Sequence, residues 1–181
     1  MNSSDFALFD TAIGRCGIAW NDRGVTGVQL PEAGGEAGTR ARVLRRFPEA
    51  REAAPPPEVQ RAVDSIVALL HGEASDLSTV ALDMAGVPAF NRRVYEVARS
   101  IPPGETLTYG EVAARLGERG AARAVGKALG QNPFALIVPC HRVLAAGGGI
   151  GGFSAGGGVT TKRRLLTIED GGRSTPLFRS L

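Results

Sequence analysis

Cysteine and histidine are scarce in this chain. Its 181 residues include two cysteines, Cys16 and Cys140, and two histidines, His71 and His141. Two thiols so far apart, with no CxxC pair, make no disulfide framework and supply no structural zinc site, so neither metal nor cofactor is expected. No apolar run approaches the ~18 residues of a membrane span, and the N-terminal MNSSDFALFD lacks the basic-then-apolar layout of a secretory signal. The expectation is a cytoplasmic protein with reduced thiols and no membrane partner.

What is present fits a globular protein of one average domain or two small ones, with 43% hydrophobic residues. Charge divides it. Residues 1–84 carry 8 arginines against 12 acids, a net of −4, whereas residues 85–181 carry 11 arginines and 2 lysines against 6 acids, a net of +7. The basic half suits a polyanionic partner, nucleic acid above all, or is simply a solvated helix surface.

Residues 6–30 read as short strands broken by TAIG and NDRG turns, a meander that starts a small sheet. Cys16 and Trp20 lie on one face of its second strand, so Cys16 is expected to be buried and structural. Residues 31–38 read as a loop, TRARVLRRF as a short helix, and AAPPP at 53–57 as a stiff break. Val59, Val63, Ile66, Val67 and Leu70 recur at helical spacing, a stripe to pack on the sheet, with His71 at the helix end. VALDM at 80–84 is expected to close the sheet. Charge and pattern change at 84–90, which places an N-terminal domain at 1–84 and a C-terminal domain at 85–181.

In the second half, a helix over 89–101 stops before Pro102-Pro103-Gly104. Thr108 and Glu111 have capping-box spacing, so a helix starts at Tyr109 and runs to about Leu116. After a turn at Gly117–Gly120, Ala121–Leu129 forms a second helix, which is either a helix-turn-helix or an ordinary pair in a core. Ala121, Ala122, Ala124 and Gly126 around Arg123 would let this backbone approach a groove while one cation projects. FALIV at 134–138 reads as a buried strand leading to Pro139. The eight glycines of 147–158 surround Phe153 and Ser154 and suit a mobile wall around a flat ligand, or a merely flexible loop. VTTKRRLLTIE is a last helix with Leu165, Leu166 and Ile168 inward and Glu169 at its end, and the tail past Asp170 is expected to be loosely held.

A thiol at the end of an apolar run, in Pro139-Cys140-His141, is a better reagent than core filler. Neighbours in an extended segment point to opposite faces, so either the chain turns sharply at Cys140 or a water carries the proton to His141. Asn132 is placed to brace such a turn. Lowering the ordinary thiol pKa of ~8.5 needs a base or nearby cations, for which His141 and Arg142 are the local candidates.

PCHRV preceded by NP, together with TYGEVAARLG, AARAVG and KRRLLTIE, resembles the O6-alkylguanine-DNA alkyltransferase family over about residues 88–169, and residues 6–84 resemble it more loosely. The resemblance implies an α+β fold: a ribonuclease H-like N-terminal domain and a mostly helical C-terminal domain with a helix-turn-helix. It implies double-stranded DNA containing O6-alkylguanine as partner, with no obligate protein partner. Cys140 would accept the alkyl group irreversibly from a base flipped out of the duplex, with O4-alkylthymine as a second substrate. His141, oriented by Glu169, would take the thiol proton through a water; Tyr109 would assist the leaving guanine; and Asn132 would hold the turn. The Val143 and Cys140 carbonyls would read the base's amino group, and Ser154 would place its amide near O6. Arg123 would enter the base stack, with Ala122, Ala124, Gly126 and Thr108 on the DNA face. Two departures bear on the pocket: Phe153 stands where the family usually has tyrosine, and the 153–162 loop is two residues longer.

Three other functions fit parts of the sequence. A lesion-recognition protein that does not transfer would lack the acceptor cysteine. A helix-turn-helix regulator would need more base-reading side chains than the alanine-rich helix offers. A Cys-His hydrolase would need a histidine other than the immediate neighbour.

Overall fold

The computed structural model describes residues 4–171. The meander is present as β1 (Asp5–Thr11), β2 (Gly14–Asn21) and β3 (Gly24–Gln29), antiparallel and joined by two-residue turns. Glycine follows each turn because the backbone there is left-handed, φ +126° at Gly14 and +140° at Gly24. Helix α1 (Gly35–Arg46) starts inside the segment expected to be a loop: Gly34 takes a left-handed turn, and the Gly- and Ala-rich stretch beyond it is already helical.

The two faces of the sheet bury different residues. Phe6 and Ala19 face Val43 and Phe47 at the α1 side, while Phe9, Cys16, Ile18 and Trp20 belong to the main core. A side chain at Gly17 would come within 2.8 Å of Val43, so the glycine sets how closely α1 can lie. Cys16 is fully buried, and desolvation pushes its pKa up to about 12, which makes it inert.

After AAPPP, α2 (Pro57–Leu70) begins with proline in its first turn, where no amide is needed. It buries Val59, Val63, Ile66 and Leu70, and His71 caps it, exposed. The sheet's fourth strand is not VALDM. It is β4 (Arg51–Glu52), parallel to β1, giving the order β3-β2-β1-β4. Residues 80–84 make one isolated bridge, Val25 to Leu82. Asp83 then turns away to accept from Asn21 Nδ2 (2.7 Å), Arg23 Nη2 (2.8 Å) and the Ala85 amide (3.0 Å), which ends any strand there.

Helix α3 (Ala89–Arg99) leads through β5 (Leu107–Thr108) to α4 (Tyr109–Arg115), a turn, and α5 (Ala122–Gly130). The capping box is complete: Thr108 Oγ1 accepts from the Glu111 amide (3.1 Å), and Glu111 Oε2 accepts from the Thr108 amide (2.6 Å). Tyr95 joins α3 to α5 by donating to the Ala128 carbonyl (2.8 Å). The last described elements are β6 (Val143–Leu144), parallel to β5, and α6 (Gly158–Glu169). From residue 172 on, the tail lies outside the described residues.

One core cluster draws on both halves of the chain, from Phe9 and Trp20 to Val125, Phe134 and Leu165. The edge strand β3 reaches directly to the reactive segment, since the Val28 amide donates to the Pro133 carbonyl (2.9 Å). The result is mixed α+β. Among the described residues no helix is long and apolar enough to cross a membrane.

Candidate active site

The segment before the cysteine is not a strand. Residues 134–138 fold back on themselves, with Leu136 in the left-handed region at φ 70°, the only non-glycine there among the described residues. That conformation costs a leucine ~1–2 kcal/mol. Asn132 holds it: its Oδ1 accepts from the Phe134 amide (2.8 Å) and its Nδ2 donates to the Val138 carbonyl (2.9 Å). Burial of Phe134 and Leu136 adds to the clamp.

Cys140 then opens a single 3₁₀ turn, Cys140–Arg142, the sharp turn that the sequence called for at this point. His141 and Arg142 go inward, and both meet Glu169 from the end of α6. His141 Nε2 lies 2.6 Å from Glu169 Oε1; Arg142 donates through Nη2 to Oε1 (2.8 Å) and through Nε to Oε2 (2.9 Å), and its Nη1 donates to the Ile101 carbonyl (2.6 Å). Arg142, a candidate for activating the thiol, is thus committed to Glu169.

The electrostatics follow. Burial disfavours the Glu169 carboxylate, but His141 and Arg142 outweigh it and hold its pKa down at about 2. Burial lowers the pKa of His141 despite Glu169, so the imidazole is neutral at pH 7. With an ionised carboxylate at Nε2, the proton belongs on Nε2, and Nδ1 carries the lone pair. Nδ1 is buried and has no partner among the described residues, a base with nothing yet to take. Burial also raises the pKa of Cys140, opposed by the Asn132 side chain, the charge of Lys162 and two backbone amides. At rest the site holds a thiol and a neutral base.

Lys162 is the residue that sequence reasoning missed. It is fully buried on α6, donates to the carbonyls of Val143 (2.7 Å) and Gly152 (3.2 Å), and lies 5.7 Å from the Tyr109 ring centroid. Desolvation lowers its pKa to about 8, with Cys140 opposing. Its signal was available: Lys162, Leu165, Leu166 and Glu169 share one helical stripe, and a lysine on a buried stripe asks for acceptors.

A cavity of about 430 Å³ has Cys140 in its wall, with Tyr109, Gly126, Leu129, Phe153 and Ser154 around it. That is ample for a ligand the size of a base. Tyr109 stands between α5 and the glycine loop, because a side chain at Gly151 would come within 2.7 Å of its hydroxyl. Ser154 Oγ donates to the Gly130 carbonyl (3.1 Å), tying the loop to α5. The Val143 and Cys140 carbonyls each already accept one bond, from Lys162 and from the Val143 amide, which leaves each a second lone pair. On the outer surface, Arg123 and Ala124 are exposed, and Arg123 makes no ion pair among the described residues. Ala122 is half-buried beside them, and Gly126, one turn on from Arg123, lines the cavity mouth. Thr108 spends its hydroxyl on the helix cap. No group of three or more His, Cys, Asp or Glu residues among the described residues is placed to hold a metal ion.

Residues 89–171 match a family model described as "6-O-methylguanine DNA methyltransferase, DNA binding domain". The chain is 40% identical over 153 residues to a methylated-DNA-protein-cysteine methyltransferase of Methanothermobacter thermautotrophicus, a match over 84% of this chain and 78% of that one. It is similar to the crystal structure of Mycobacterium tuberculosis OGT in complex with DNA, with 36% identity and a TM-score of 0.74 over 93% of this chain and 94% of that one. It is also similar to the O6-methylguanine-DNA methyltransferase of Pyrococcus kodakaraensis, with 25% identity and a TM-score of 0.69 over 91% of this chain and 98% of the other. With 40% identity over most of both chains and a shared fold, the chain belongs to the methylated-DNA-protein-cysteine methyltransferase family.

Proposed function

We propose that this chain repairs DNA by moving the alkyl group of O6-alkylguanine onto its own Cys140, once per molecule. The observation that carries the proposal is a cysteine in the wall of a base-sized cavity, followed in the chain by a histidine whose Nε2 is fixed on Glu169 and whose Nδ1 is a buried, unpartnered lone pair. His141 Nδ1 takes the thiol proton through one water. The Cys140 Sγ lone pair forms a bond to the alkyl carbon as the carbon–O6 bond breaks, and that electron pair stays on the guanine. The imidazolium so formed is balanced by Glu169. Tyr109, on the cavity wall, hydrogen-bonds the leaving base, which departs more readily as it approaches neutrality. The S–C bond formed is a thioether that nothing in the site cleaves, so each molecule acts once. The same displacement acts on O4-alkylthymine.

A base stacked in a duplex cannot reach a thiol in this wall, so the nucleotide must flip, at a cost of a few kcal/mol. In this reading α4 and α5 form a helix-turn-helix, residues 1–84 are a ribonuclease H-like domain, and residues 85–181 are the DNA-binding and acceptor domain. Ala122, Ala124 and Gly126 lie against the minor groove with Thr108 nearby, and Arg123 fills the gap in the stack. Asn132 keeps Cys140 in register, and the Ser154 amide and the Val143 carbonyl orient the base against Phe153. Duplex DNA labelled on the O6-methyl group tests this. Label should move to the protein and stay there, and Cys140→Ser should take none; label that remains on DNA with wild-type protein refutes it.

A further inference from the structure

The glycine loop that walls the base cavity is built against the other half of the chain. Phe153 and Ser154 line that cavity, and just beyond them the loop crosses the segment between β3 and α1. A side chain at Gly156 would come within 2.5 Å of the Pro31 carbonyl oxygen and 3.4 Å of the Glu32 carboxylate. The two residues by which 153–162 exceeds the family's usual length lie in the stretch that makes this contact.

Pro31 has little room to retreat. The β1–β2 turn backs it, since a side chain at Gly14 would come within 3.1 Å of its ring. The Glu32 amide donates to Thr39 Oγ1 (3.2 Å), and that fully buried hydroxyl donates to the Arg15 carbonyl (3.0 Å). The loop is held from its own side too. Thr161 Oγ1 donates to the Gly156 carbonyl (2.6 Å) and the Gly158 amide to the Ala155 carbonyl (2.9 Å), which draws 155–158 into one tight turn at the start of α6. Farther along α6, Arg164 Nη2 donates to the Ala12 carbonyl (2.9 Å) and fixes the helix to the β1–β2 turn. The turn at 155–158 is therefore wedged between α6 and a fixed carbonyl oxygen, and a methyl group added there would meet backbone, which cannot swing aside as a side chain does.

We propose that Pro31 is the stop that sets the wall of the base cavity, and that Gly156 and Thr161 are positioning residues for alkyl transfer although neither touches the base. The proposal rests on the transfer reading above. Pressed between α6 and Pro31, the turn at 155–158 fixes how far Phe153 and Ser154 stand from Cys140, and so how closely a base lying against them approaches Sγ. The first half of the chain thereby sets the geometry of a reaction whose reacting groups all belong to the second.

Single-turnover transfer from duplex carrying O6-methylguanine reads the rate constant and the amplitude, in methyl groups per molecule, separately. A displaced wall lowers the rate constant; partial unfolding lowers the amplitude. Gly156→Ala should slow the rate constant at saturating duplex about tenfold, on a scale where a misplacement of ~1 Å costs ~10²-fold. The amplitude, the half-saturating concentration and the affinity for undamaged duplex should not change. Thr161→Val keeps the shape and drops the bond to Gly156, so it should slow transfer about threefold, the low end of what one hydrogen bond is worth. Thr161→Ser should match wild type. Adding Pro31→Gly to Gly156→Ala lets the stop yield and should recover part of the lost rate. A wild-type rate constant in Gly156→Ala or Thr161→Val, a lost amplitude with the rate constant unchanged, or a Pro31→Gly/Gly156→Ala pair no faster than Gly156→Ala alone overturns the proposal. Wild-type protein that transfers no methyl group refutes the function itself, an outcome read before any variant is made.

Discussion

Replacing Glu169 by glutamine keeps the shape of the site and removes one charge. Three donors converge on this carboxylate, from His141 and twice from Arg142, and its side chain is 3% exposed. Without the charge, Arg142 is left buried with no counter-ion, which typically costs ~3–5 kcal/mol and for a protein of this length lowers Tm by about 6–20 °C. The pKa gives a similar scale. Glu169 ionises at about 2 in the fold against 4.5 unfolded, so its ionised form contributes ~3 kcal/mol at neutral pH. Because the folded pKa is the lower one, that stability is present above pH 4.5 and lost as the pH falls toward 2. Chemistry suffers as well. The glutamine amide can donate to His141 Nε2, which moves the proton to Nδ1 and removes the base, and the imidazolium loses its balancing charge. Transfer should slow by ~10²-fold or more, the usual worth of a positioned base. The assays are thermal melting between pH 3 and 7 and single-turnover transfer at pH 7.5, with Glu169→Asp expected to recover part of each. A Glu169→Gln protein that melts and transfers as wild type does would refute the buried charge network.

Transfer should rise with pH below 6.5 as His141 loses its proton, because burial sets its pKa under that value, and should decline above about 8 as Lys162 loses its charge. Lys162→Met should abolish the upper decline, slow transfer about tenfold at pH 7.5 and lower Tm, since the Val143 and Gly152 carbonyls lose their donor at ~1–3 kcal/mol each where buried; an unchanged pH profile would contradict this role. Asn132→Ala removes both bonds that pin Leu136 in its left-handed conformation and should cost ~2–3 kcal/mol in urea unfolding, with a loss below ~0.5 kcal/mol showing that the turn holds itself. Gly151→Ala puts a methyl group 2.7 Å from the Tyr109 hydroxyl at φ +76°, so it should slow transfer while the far-ultraviolet circular dichroism stays unchanged; wild-type rates would show that Tyr109 does not act.

Local signals in the sequence carried far. The α4 start was legible because Thr108 and Glu111 meet within one turn, and α2 because its stripe is long and periodic. The run 134–138 misled, since a short apolar stretch has no period of its own, and its turn depends on both ends of the Asn132 side chain finding backbone partners. VALDM failed as a strand because Asp83 is drawn off by Asn21 and Arg23, sixty residues away in sequence. Cys140 and His141 were readable from the Pro-Cys-His run itself, and Glu169 through the family resemblance. The burial of Lys162 could be read from its helical stripe, but not its partners, because its two acceptors come from separate segments that only the fold brings together.

The proposed reaction requires Cys140 to be a stoichiometric acceptor. Intact mass followed by peptide mapping, after incubation with excess duplex carrying O6-methylguanine, measures this directly. The prediction is a gain of one methylene per molecule, located on Cys140, with no further gain on a second addition of substrate. An unmodified Cys140 on protein that binds the lesion saturably, or catalytic loss of the methyl group from DNA without protein modification, would contradict it.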